Sequence, residues 1–197
     1  MAQDQHYSDE QDVELVQQGQ VEAFQRIVRH YTPVLYSLCY RMLGDQEAAE
    51  DAVQDVFVKA YRSISSFDSS RRFYSWIYTI AVNHLRSLNR KNSRKPEPDI
   101  PYEESLNESI RRDDKNRAPD TSAIQREGEQ LAQRALNTLD QKLKEVFVLR
   151  MVEGLSVKDT SRTLDIPENT VKTYLRRARE QLIEEMKALG YGEPDGV

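Results

Sequence analysis

Apolar residues recur at helical spacing through most of residues 10–92, and again from about Ile124 to Leu182, which predicts an all-α chain. The first half reads as an amphipathic start (DVELVQQG), then helices from about Val21 to Leu43, Gln46 to Ile64 and Arg71 to Leu88. Gly19 and Gly44 punctuate the first two junctions, and Pro33 falls inside the second helix, where its missing donor predicts a kink. Residues 93–124 carry Pro96, Pro98, Pro101 and Pro119 among many charges with few apolar anchors, the composition of an extended or disordered linker. Beyond it Leu136, Leu139, Leu143, Val146 and Phe147 form an apolar stripe. Two small helical domains, at 10–94 and 126–187, are therefore expected on a flexible tether spanning 95–125.

Residues 155–182, LSVKDTSRTLDIPENTVKTYLRRAREQL, read as a helix-turn-helix. Ser156 is placed to cap a helix that ends at Leu164, Asp165-Ile166-Pro167 makes the turn, and Pro167 and Glu168 suit the first turn of the next helix. On that helix Val171, Leu175, Ala178 and Leu182 share one inward face. Thr173 and Arg176, flanked by Lys172 and Arg177, are left on the other. These side chains are donor-rich and long enough to reach base edges or phosphates from a major groove. A basic helix face can also be mere solvation. Here it is combined with turn chemistry and inward apolar spacing, and together these favour DNA binding.

The formal net charge of −5 at first argues against a polyanionic partner. Its distribution reverses that impression: residues 1–70 hold five Lys/Arg against twelve Asp/Glu, whereas residues 71–95 hold seven Lys/Arg and no acid. Residues 96–131 swing back, to five against ten. A localised basic segment is what phosphate contact needs.

Within that segment Phe73, Ile77, Ile80, Ala81, His84 and Leu88 form a core stripe, and Trp76 and Asn83 sit at its margin with Thr79, Arg86 and Arg90 further round. An aromatic platform, an amide and cations along one strip suit unstacked bases and a single-stranded backbone. The preceding loop, Phe67-Asp68-Ser69-Ser70-Arg71-Arg72, adds short polar side chains and exposed backbone. Each residue has a plainer reading, with Trp76 as core, Ser69 or Ser70 as a helix cap and the arginines as solvation. Together they can form a pocket for a flipped base.

Other chemistries find little support. The single cysteine, Cys39, lies among Leu35, Leu38 and Met42 and reads as a buried core thiol, so neither a disulfide framework nor a multi-Cys zinc site is expected. His6, His30 and His84 are dispersed, and His84 reads as a packed core histidine, so no metal site and no cofactor are expected. No HExxH, Walker-type loop or nucleophile elbow occurs, and the chain is not expected to be an enzyme. No apolar run is long enough to cross a bilayer, and the polar start MAQDQHYSDEQD is expected to be neither signal peptide nor anchor.

Four segments in order, ELVQQGQVEAFQRIVRHY, AAEDAVQDVFVKAY, FYSWIYTIAVNHLR and the run from TLDQKLKEVF to RRAREQL, resemble the bacterial sigma factors of the extracytoplasmic-function (ECF) group. They cover most of residues 11–187. The resemblance implies a region 2 helical bundle and a region 4 helix-turn-helix, and a role in promoter-specific initiation with core RNA polymerase. It makes Asp51, Gln54 and Asp55 the core-binding residues, and Lys172, Thr173, Arg176 and Arg177 the contacts to duplex −35 DNA. It places the loop at Phe67, Asp68, Ser69, Ser70 and Arg71, together with Asn83, at a base flipped from the melted −10 element. Trp76, Arg86 and Arg90 join that set through the chemistry of their strip. Where many relatives carry glycine after the phenylalanine this chain has Asp68 and Ser69, so the captured base is not carried over. The resemblance also implies a cytoplasmic protein held by an anti-sigma partner, at the membrane when that partner is anchored there. Two other classes stay open: a stand-alone helix-turn-helix regulator, which would bind operators without polymerase, and a small nucleic-acid hydrolase.

Overall fold

The computed structural model describes residues 9–92 and 119–189, and all its regular structure is helical. Helices α1 (Asp9–Gln17), α2 (Val21–Leu43), α3 (Gln46–Ser63) and α4 (Phe73–Asn92) form the first bundle, with a 3₁₀ turn at Ile64–Ser66 after α3. Helices α5 (Pro119–Asn137), α6 (Gln141–Phe147), α7 (Val157–Leu164) and α8 (Glu168–Ala188) follow, with a π-helical turn at Val148–Val152 between α6 and α7.

Local chemistry sets the boundaries. Gly44 adopts φ 75° and its N–H returns to the Tyr40 carbonyl at 2.7 Å, closing α2 in a left-handed conformation that glycine adopts at least cost. Asp45 then caps α3, its carboxylate accepting from the Ala48 N–H at 2.7 Å. Ser156 caps α7 by accepting from the Asp159 N–H at 3.0 Å. Helix α2 runs continuously through Pro33, and Pro33 and Arg29, whose carbonyl loses its donor, both lie on the exposed side. Water can satisfy that carbonyl, which compensates the missing donor and lets the helix continue through the proline.

The linker prediction needs trimming. Helix α5 starts at Pro119, so the last part of the expected 95–125 tether is helical. Proline is well suited to a first helical position, where no N–H is required. Residues 95–118 lie outside the described residues, as do His6 and the tail from Tyr191. Pro167 is also shifted from expectation, standing as the N-cap of α8 rather than inside it.

The first bundle closes on Ile27, Leu35, Leu38, Val56, Ile77, Val82 and Leu85, and the second on Val146, Val148, Leu149, Val171 and Ala178. Cys39 is fully buried as expected, and burial pushes its thiol up to about 12, so the thiol stays protonated and unreactive. No described helix is long and apolar enough to cross a membrane.

Lys144 is the unusual core member. It is buried and its ammonium donates to the Met42 carbonyl at 3.2 Å and to Asn137 Oδ1 at 2.8 Å, with no carboxylate paired to it among the described residues, so desolvation lowers it to about 8. The folded value lies below the unfolded one, so between pH 8 and about 10.5 the unfolded chain holds more protons and stability rises with pH. The burial cost is fully present below pH 8. Urea midpoints at pH 7 and 9.5 should therefore show a gain of roughly 1–2 kcal/mol with pH that Lys144→Met lacks.

Candidate nucleic-acid and polymerase interfaces

Helix α8 turns outward the side chains that its apolar spacing left on the other face. Val171 and Ala178 are buried, Leu175 and Leu182 are half-buried, and Lys172, Thr173, Arg176 and Arg177 are all exposed on α8. The turn between α7 and α8 depends on Asp165 in the left-handed region at φ 54°, the one non-glycine residue there among the described residues. Ser161 Oγ ties that turn by donating to the Ile166 carbonyl at 2.6 Å. Thr173 Oγ1 bonds back to the Asn169 carbonyl at 2.9 Å, and Arg176 reaches Glu180 at 2.6 Å, an exposed i,i+4 pair worth only a few tenths of a kcal/mol. DNA phosphates can readily displace so weak a pair.

The second surface is the loop after α3 with one side of α4. Gln17 from α1 holds the loop's root, its amide donating to the Ile64 and Phe67 carbonyls at 2.9 and 3.0 Å. Phe67 itself points inward: it is 8% exposed and packs edge-on against Phe73 and tilted against Trp76 at 5.0 Å. As a site residue its side chain therefore shapes the aromatic floor and does not face solvent. Asp68, Ser69, Ser70 and Arg71 are exposed. Asp68 Oδ1 accepts from the Ser70 N–H at 3.0 Å, and hydrogen bonds from Ser70, with Arg71 nearby, hold its carboxyl below the usual range. Trp76 is half-buried on the Phe67–Phe73 cluster and lines a small pocket with Arg71, Arg72, Ser75, Thr79 and Arg162. Asn83 and Arg90 are exposed further along α4.

Arg86 is where the structure departs from the sequence reading. It is not free for phosphate: its guanidinium grips Glu145 with two bonds, Nε to Oε1 at 3.0 Å and one terminal nitrogen to Oε2 at 2.6 Å. Glu145, 2% exposed, lies on α6, 59 positions away, so local spacing gave no sign of the pairing.

The third surface is the outer face of α3. Asp51, Gln54 and Asp55 are exposed there, in line with exposed Val58 and Tyr61. Asp55 also approaches His84 Nε2 at 3.3 Å, while Lys59 contacts His84 Nδ1. The packed histidine is thus a polar bridge between α3 and α4. Among the described residues no cluster of His, Cys, Asp and Glu is suited to hold a metal ion.

Two family models match separate parts of the chain. Residues 27–95 match the model for sigma-70 region 2, and residues 129–182 the model for sigma-70 region 4. The chain is 34% identical over 181 residues to the ECF RNA polymerase sigma factor SigW of Bacillus subtilis, covering 90% of this chain and 96% of that protein. It is also 34% identical over 184 residues to the ECF RNA polymerase sigma-E factor of Haemophilus influenzae, covering 92% and 97%. Among solved structures, CnrH in complex with the cytosolic domain of CnrY aligns at TM-score 0.68 and 25% identity, covering 91% of this chain and 97% of that one. The sigma factor RpoE of Bartonella quintana, in complex with the anti-sigma factor NepR, aligns at 0.62 and 23%, covering 83% and 96%, a likeness of fold.

Proposed function

The chain belongs to the ECF sigma factors of RNA polymerase, and we propose that it divides promoter recognition between its two halves, units at 10–94 and 126–187. Lys172, Thr173, Arg176 and Arg177 read duplex −35 DNA from the exposed face of α8, laid in the major groove. The loop at Phe67–Arg71 with Trp76, Asn83 and Arg90 takes the melted −10 strand, stacking and bonding an extruded base, and Arg86 joins them when the strand displaces Glu145 from its guanidinium. Extrusion costs a few kcal/mol of pairing and stacking, which contacts of this kind offset. Asp51, Gln54 and Asp55 dock on a basic surface of core polymerase, since exposed carboxylates beside Val58 and Tyr61 repel DNA and complement cations.

The observation that carries this reading is the segregation of charge: an acidic, partly apolar face on α3 and separate cationic faces on α4 and α8. A stand-alone regulator has no use for the first. The RpoE relative is described with an anti-sigma factor, which supports a similar partner here, and with it a cytoplasmic protein brought to the membrane when that partner is anchored. The chain carries out no catalysis itself in this scheme.

The test is pull-down of bacterial core RNA polymerase by the purified chain, followed by transcription from a random-promoter library with and without it. Stoichiometric binding and new chain-dependent start sites are expected. Duplex binding without core binding would replace this reading with the stand-alone regulator.

A further inference from the structure

Helix α1 lies before the segment that matches region 2 and carries none of the residues assigned above. Its last residue, Gln17, nevertheless holds the loop assigned to the melted strand. The side-chain amide donates to the Ile64 carbonyl at 2.9 Å and to the Phe67 carbonyl at 3.0 Å, 47 and 50 positions away. We propose that Gln17 is a positioning residue for base capture. It fixes the direction in which the chain leaves α3, and so the place where the turn at Asp68–Arg71 meets an extruded base. This inference deepens the −10 function proposed above and rests on it.

The backbone explains why this point needs a fastener. The chain runs helically to Ser66 and becomes extended at Phe67, at φ −70° and ψ 128°. The Phe67 N–H still closes the 3₁₀ turn on the Ile64 carbonyl at 3.1 Å, but the Phe67 carbonyl lies past the end of the helical bonding and needs a donor from elsewhere. Gln17 supplies it. Its two amide hydrogens diverge in one plane and reach one carbonyl on each side of the bend. Both neighbours are carbonyls, which only accept, so the amide nitrogen and not its oxygen must face the loop. A single bond there would leave a pivot, whereas two bonds across the bend set an angle.

The rest of the loop depends on that root. The Asp68 carboxylate accepts from the Ser70 N–H at 3.0 Å and the Asp68 carbonyl from the Arg71 N–H at 3.0 Å, so the turn is closed on itself. Phe67 joins it to the bundle twice, by its ring against Phe73 at 5.6 Å and Trp76 at 5.0 Å, and by its carbonyl on Gln17. Losing the second tie frees the polar turn from the aromatic floor on which a base would stack. Helix α1 is a firm mount for it. Val13 and Val16 are buried, Asp12 accepts from Arg26 Nε at 2.7 Å, and Asp9 accepts from the Tyr31 hydroxyl at 2.6 Å. Gln17 itself is exposed, so its substitution takes two bonds from the loop without opening a cavity in the core.

The test is Gln17→Met, which keeps the length of the side chain and loses both donors, with Gln17→Ala expected to behave alike. Trp76 is the chain's one tryptophan, so its fluorescence in the free full-length chain reports on the loop's floor. Gln17→Met should shift that emission to the red and raise its quenching by acrylamide, while the chain still melts cooperatively. Binding is read in holoenzyme, on a labelled −10 single strand from a library-selected promoter and on copies made abasic at each position in turn. The parent should lose about tenfold at the captured base. Gln17→Met should lose about tenfold on the intact strand and match the parent on that abasic copy, because the bonds and the base act through one contact. Affinity for −35 duplex and for core polymerase should not change. A Trp76 signal that both variants leave unaltered overturns the positioning role, and so do equal losses on the −10 strand, the −35 duplex and core polymerase. A parent holoenzyme indifferent to every abasic position overturns the −10 reading instead, and the Trp76 signal then still decides whether Gln17 holds the loop.

Discussion

Asp51→Arg should weaken association with core polymerase by about 10–100-fold while leaving the chain folded. Reversing a charge in a docking surface puts like charges face to face, which costs several kcal/mol when the pair is close and less at a rim. Asp51 is exposed on α3 with no ion pair among the described residues, so its removal breaks nothing inside the bundle. Asp55 is the poorer choice despite sharing the face. Its carboxylate approaches His84, and a guanidinium there would stand beside both His84 and Lys59. Competition binding at two salt concentrations measures the effect, and the loss should shrink as salt screens it. Unchanged affinity in a chain that melts normally would move the docking surface off α3.

Local periodicity carried most of the fold. The Val171–Leu182 stripe was enough to place Lys172, Thr173, Arg176 and Arg177 outward, and Asp45, Ser156 and Gly44 mark helix ends through side-chain or backbone chemistry within a few residues. What periodicity cannot express is contact between distant helices. The partnership of Arg86 with Glu145 spans 59 positions, and Gln17 reaches a loop 47 to 50 positions away. Neither residue type signals its partner locally. The π turn at Val148–Val152 was missed for a different reason. Its wider bonding shifts the helical repeat, so an apolar run such as VFVLRMV no longer reports which side is buried. Pro119 was read by type before position, as one of several prolines marking a linker, where it starts α5.

The two DNA surfaces should separate by mutation. Arg176→Ala is expected to lose about 10–100-fold on duplex −35 DNA, the 1–3 kcal/mol typical of a guanidinium on a base edge, with single-strand binding preserved. The side chain is exposed and its partner among the described residues, Glu180, is an exposed neighbour on the same helix, so α8 should keep its stability. Asn83→Ala should do the reverse. An exposed amide on α4 forfeits about 1–1.5 kcal/mol of hydrogen bonding to an extruded base, about tenfold, and the −35 duplex never meets it. Both variants belong in holoenzyme, on −35 duplex and −10 single strand drawn from promoters the library selects. Free chain would confound the comparison, because Asn83 lines a cleft that Tyr174 and Arg177 of α8 also line. Equal losses on both substrates for either variant would mean that the faces do not act separately. A crossed pattern would tie each face to its own element, because neither side chain supports the other's helix.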